Sequence, residues 1–138
     1  MYLPPATRKL IGNSLVASNR TTASTFTACT VDISCQSGYL RAIDWLDFMR
    51  YFVCTTVAEH YPDAKTKAVI ISLSSICRIS FQESITDADL KTLDSNVKIW
   101  IKFLKANVDK KSIRASVYTI SQHYLTHLVA MIRALGPP

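Results

Sequence analysis

The sequence predicts an all-α fold, a bundle of four to five helices behind an irregular N-terminal segment. Three stretches predict it. Val117, Ile120, Tyr124, Leu128, Met131, Ile132 and Leu135 recur at three- and four-residue steps, and Gly136-Pro137 then stops the pattern. Residues 39–60 carry a broad apolar face at the same spacing. Thr86 and Asp89 have the spacing of a capping box, with Leu90, Leu93, Val97, Trp100, Ile101 and Leu104 on one face behind it. The 138 residues are enough for one hydrophobic core without staples. They divide by pattern into an irregular segment over 1–38 and a helical domain over 39–138.

In chain order, Leu3-Pro4-Pro5-Ala6 opens extended, and Thr7 to Val16 can hold one short helix. Asn19 to Thr30 is rich in Thr, Ser and Ala and reads as a loop. A short strand over Phe26–Ile33 is conceivable from its β-favouring residues. From Tyr39 to His60, Leu40, Ile43, Leu46, Phe48, Met49, Phe52, Val53 and Val57 form the apolar face of the first long helix. Pro62 ends it, because the residue before proline is pushed out of the α region. Asp63 is then a natural N-cap for a helix over Ala64–Ile79. Val69-Ile70-Ile71 would also suit a strand, but the length of the run and its helical neighbours favour helix. The third helix starts at Thr86 and passes Leu104, and Asn107 to Lys111 is a polar connection. The last helix begins at about Ile113 or Val117 and ends at Leu135. Trp45, Phe52, Trp100, Tyr124 and Leu128 are the expected core anchors.

Composition narrows the function. The chain carries a net charge of +6, which suits an acidic partner such as nucleic acid without requiring one. Its four cysteines, Cys29, Cys35, Cys54 and Cys77, include no C-x-x-C pair, so neither a zinc ribbon nor a thioredoxin motif is supported. Cys54 and Cys77 fall in helical apolar patterns, where a reduced thiol acts as a small hydrophobe. There is no signal-peptide pattern and no apolar run long enough to span a membrane. The Asn19-Arg20-Thr21 sequon is then a chance match. The expected compartment is intracellular and reducing, and a DNA-binding role would make it nuclear. With no Gly-rich phosphate loop, no G-x-S-x-G elbow and no Cys/His nucleophile signature, neither an enzyme nor a small-molecule substrate nor a cofactor is expected.

Three constellations remain. His123 and His127 are four apart and share a helix face. The metalloprotease pattern H-E-x-x-H requires a glutamate after the first histidine, and Tyr124 stands there. No Cys, Asp or Glu clusters with the pair as a third ligand, and His60 is available only if the fold brings it close. A resident metal centre is therefore not expected, and two histidines at the edge of a packed helix is the simpler reading. Asp44 and Asp47 are three apart and could approach as paired carboxylates, but Arg41 and Arg50 nearby make ordinary salt bridges the simpler account. The third is a basic stripe. Lys91, Lys98, Lys102 and Lys105 project within roughly 60° of one another at 100° per residue. Lys110, Lys111 and Arg114 follow. Residues 91–114 hold seven basic and two acidic residues, a net +5 of the chain's +6. Such a surface can track phosphates. Lysine without interleaved exposed aromatics suits loose backbone contact better than base readout. A solvated lysine face is the plain alternative.

Three stretches also carry a family resemblance. Tyr39-Leu40-Arg41-Ala42-Ile43-Asp44-Trp45-Leu46-Asp47-Phe48, the pattern from Ile85 to Leu104 with Trp100, and His123-Tyr124-Leu125-Thr126-His127 followed by Ile132 to Pro137 resemble a helical region of fungal DNA-transposon proteins. That region lies after the transposase core in proteins related to plant elements of the CACTA type. The resemblance implies a fragment, since the family's catalytic core would precede Met1 and its helical region would run past Pro138. No catalytic residue of the family maps onto this chain. The expected function is a non-catalytic helical accessory domain that binds DNA non-specifically through Lys91, Lys98, Lys102, Lys105, Lys110, Lys111 and Arg114. The alternative is a helical protein–protein interaction or self-association module, with an exposed apolar patch on its C-terminal helix and no nucleic-acid role.

Overall fold

A computed structural model describes residues 3–18, 38 and 40–136. The strand considered over Phe26–Ile33, the Asn19–Thr30 loop, and Cys29 and Cys35 lie outside the described residues. Those described are mostly helical and contain no strand, so the all-α expectation holds for them. They gather into two units, one up to Lys67 and one from Ala68 onward.

The first unit starts with α1, Pro5–Ser18. Proline suits the first helical position, where its missing N–H would have no intrahelical acceptor anyway. Arg8 N–H then donates to the Pro4 carbonyl at 3.0 Å, closing the first turn. Ile11 and Leu15 are one turn apart and both buried, and α1 packs through them on the segment Phe48–Val57. The region expected to be irregular thus begins with a formed helix, longer than Thr7 to Val16.

The first long helix is α2, Ala42–Asp47, continuing without interruption as a π-helix over Phe48–Val57 and a 3₁₀ turn over Ala58–His60. The π segment closes wider i→i+5 turns, so its residues leave the 3.6-residue raster that placed the apolar face. The burial pattern differs accordingly. Val53 and Ala58 are buried, Phe52 is half-buried, and Ile43 and Trp45 are exposed. Trp45 is not a core anchor. It packs edge-on against Phe48, with ring centroids 5.9 Å apart.

Helix α3, Ala64–Ser80, begins where Asp63 was expected to cap it. The Asp63 carboxylate accepts from Thr66 N–H at 2.8 Å and Thr66 Oγ1–H at 2.6 Å. Val69 and Ile70 are buried within helix, which settles the strand ambiguity. Helix α4, Asp87–Asp109, is the spine of the second unit. Its capping box closes in both directions, Asp89 N–H to Thr86 Oγ1 at 3.2 Å and Thr86 N–H to Asp89 Oδ2 at 2.9 Å. Leu90, Leu93, Val97, Trp100 and Leu104 face Val69, Ile76, Ile79 and Ile132 in one buried cluster.

Helix α4 ends in a Schellman geometry. Ser112 N–H donates to Asn107 O at 3.0 Å and Lys111 N–H to Val108 O at 2.8 Å. Lys111 therefore occupies the left-handed position, φ 56°, that glycine usually fills.

The last helix is divided, not continuous. After a 3₁₀ turn at Ala115–Val117, α5 spans Ile120–Leu125 and α6 spans Leu128–Leu135. Thr119 starts α5 by accepting from Gln122 N–H at 3.4 Å. Thr126 ends it, because its hydroxyl and its N–H both bond the His123 carbonyl, at 2.6 and 3.0 Å. This side-chain competition tightens the turn to i→i−3 and separates the two helices. Ile132 is buried and Leu125, Leu128 and Val129 are partly buried. Ile120, Tyr124, Met131 and Leu135 are exposed, so Tyr124 is not in the core.

Candidate nucleic-acid interface

Helix α4 positions the basic residues. Its apolar residues are locked into the buried cluster, which fixes the rotation of the helix and turns Lys91, Lys98, Lys102 and Lys105 to solvent. Lys91 to Lys105 covers about 21 Å at 1.5 Å per residue. All seven predicted basic residues are exposed.

The structure brings three of the seven to one place. Lys98, Lys102 and Lys105 line a hollow of about 390 Å³ together with Asp94, Val97, Ile101 and Thr126. Val97 is buried and Ile101 half-buried, so the hollow has an apolar floor. Lysine stems can lie along such a floor while their ammonium groups stay in water. Lys91 lies nearer the start of α4 and does not line the hollow. Lys110, Lys111 and Arg114 follow the end of the helix and extend the basic run beyond it.

One carboxylate interrupts this face. Asp94 Oδ2 accepts from Lys98 Nζ at 2.6 Å, an i,i+4 pair between exposed side chains. Among the described residues no carboxylate pairs with Lys91, Lys102, Lys105, Lys110, Lys111 or Arg114. Three ammonium groups against one carboxylate leave the hollow with a net positive charge. Asp94 and Thr126 escaped the sequence reading for different reasons. The Asp94–Lys98 spacing was a legible signal. Thr126 comes from another helix end, and only the packing of α5 on α4 brings it there. That packing includes a hydrogen bond from Trp100 Nε1–H to Gln122 Oε1 at 2.8 Å.

The other two constellations are resolved differently. Arg41 grips Asp44 as a fork, with Nε to Oδ2 and Nη2 to Oδ1 both at 3.0 Å, while Arg41 N–H donates to Oδ2 at 2.9 Å. The hydrogen bond and the charge of Asp44 raise the Arg41 pKa further. Asp44 is buried and serves to start α2, a role the salt-bridge reading anticipated in partner but not in burial. His123 and His127 do meet, with their Nε2 atoms 3.3 Å apart. Among the described residues no group of three His, Cys, Asp or Glu side chains forms a metal cage.

No family model, curated protein or solved structure matches the chain. No described helix is long and apolar enough to cross a membrane.

Proposed function

We propose that this chain is a non-catalytic helical module that holds nucleic acid by its phosphates, without reading base sequence, through the lysine face of α4. The observation that carries the reading is the convergence of Lys98, Lys102 and Lys105 on one hollow of a helix whose rotation is fixed by a buried core. Phosphate oxygens need cations that reach a common surface, and they need no particular base-edge geometry. Lys91 on one side and Lys110, Lys111 and Arg114 on the other extend the contact along the strand. The resemblance of Tyr39–Phe48, Ile85–Leu104 and His123–Pro137 to transposon proteins is compatible with such an accessory role.

The test is binding of a labelled random-sequence duplex by fluorescence anisotropy across about 50–300 mM salt, the range in which phosphate-driven binding weakens steeply. A steep salt slope is expected. Absence of binding at the lowest salt overturns the reading.

A second reading has its own observation. Ile120, Tyr124, Met131 and Leu135 are 63, 58, 48 and 80% exposed along α5 and α6. Exposed apolar residues repeated along two successive helices suit a protein-contact surface. Concentration-dependent self-association without DNA binding would favour it, and Tyr124→Ser with Met131→Ser would then abolish the association.

A further inference from the structure

We propose that His123 and His127 form a two-imidazole chelate for an exchangeable borderline divalent ion such as Zn²⁺, placed across the joint between α5 and α6. The two Nε2 atoms are 3.3 Å apart. A tetrahedral ion with Zn–N bonds of about 2.0–2.1 Å holds two of its nitrogens about 3.3–3.4 Å apart. The pair therefore already has the required separation. The ring centroids are 4.8 Å apart, farther than the nitrogens, so both Nε2 atoms lie on the facing sides of their rings. The planes are inclined at 74°, so the rings meet edge-on and are not stacked face to face.

The fold produces this geometry although the helix is broken between the two residues. His123 belongs to α5, and His127 is the N-cap of α6. The i→i−3 bonds Thr126 N–H to His123 O and His127 N–H to Tyr124 O, each 3.0 Å, draw the turn in and bring the second imidazole over the first. Both side chains are exposed, so an ion reaches them directly and water completes its coordination. A hydrogen bond across this contact needs one neutral ring to carry its proton on Nε2 and the other to accept there. Ligation needs both Nε2 lone pairs, so with both rings neutral a proton on either Nε2 moves to Nδ1 of the same ring and none is released.

Two ligands make an exchangeable site, in keeping with the lack of a third ligand among the described residues. The consequence is a clamp. The ion links the two sides of the Thr126–His127 joint and holds α5 and α6 in one relative setting. This inference does not depend on nucleic-acid binding.

The test is a Zn²⁺ titration of the full chain, followed through the imidazole ¹⁵N resonances. This readout separates the site from His60 and from the cysteine thiols. One equivalent is expected to move the Nε2 resonances of His123 and His127 together and to leave His60 in place. Removing one of two linked ligands turns the chelate into a single contact, so His123→Ala should weaken Zn²⁺ binding at His127 by about tenfold or more. His60→Ala should bind as the parent does. If His127 binds equally well in the His123→Ala variant, or if either resonance moves without the other, the chelate is overturned.

Discussion

At the scale of single residues, caps and polar contacts make the sharpest predictions. Thr86 is the N-cap of α4, and replacing it with alanine should cost about 1 kcal/mol in denaturant unfolding, with serine restoring most of the loss. Hydrogen bonds from Thr66 to Asp63, and from Thr86 to Asp89, hold both carboxyls below their ordinary 3.8. A depressed folded pKa adds stability above the unfolded value and loses it as pH falls through the folded value. Both caps should therefore weaken below about pH 4. Asp63→Asn with Asp89→Asn should flatten the acid limb of a circular-dichroism pH titration, and an unchanged limb would refute the role of the caps. Lys111 offers the opposite test. A side chain in the left-handed region costs roughly 1–2 kcal/mol. Lys111→Gly should therefore raise stability while removing one cation from the basic run.

At the scale of elements, the legibility of the sequence followed hydrogen-bonding chemistry. The starts of α3 and α4 could be read because an Asp63 or a Thr86–Asp89 box states locally which N–H groups it satisfies. The Gly136 stop was readable for a similar reason. Its φ of 84° is open to glycine, and its N–H closes on Ile132 O at 2.9 Å. The division of the last helix was not readable. Threonine at position 126 is acceptable in a helix, as Thr92 is in α4 while bonding the Ala88 carbonyl, so the residue type alone does not announce the break. The π segment hid the true face of residues 48–57, since the apolar residues there were indexed on the wrong turn. Packing yields its own expectation. Leu93 is fully buried between α4 and its neighbours, and Leu93→Ala should cost about 2–5 kcal/mol, measured by thermal or urea unfolding. Trp100→Phe removes the donor to Gln122 and leaves a space where the larger indole was buried, so it should cost more than about 0.5–1.5 kcal/mol, the worth of the hydrogen bond alone.

At the scale of the molecule, the charge was visible in the sequence and its focus was not. Counting basic residues located the +5 in residues 91–114, and helical indexing put four lysines on one side of α4. The hollow itself required α5 to pack beside that helix and bring Thr126 to the lysines. Asp94 tempers the field there, so Asp94→Asn should tighten duplex binding by about twofold at moderate salt. The central claim is that binding resides on this face and not in the overall charge of the chain. Two triple variants with the same change in net charge separate those possibilities, Lys98→Glu/Lys102→Glu/Lys105→Glu and Lys9→Glu/Lys65→Glu/Lys67→Glu, each titrated with the labelled duplex over a salt series. The account predicts that the first loses binding and lowers the salt slope by about 0.9 for each phosphate contact removed, while the second retains most of both. Equal losses in the two variants, or binding unchanged in the first, would contradict it.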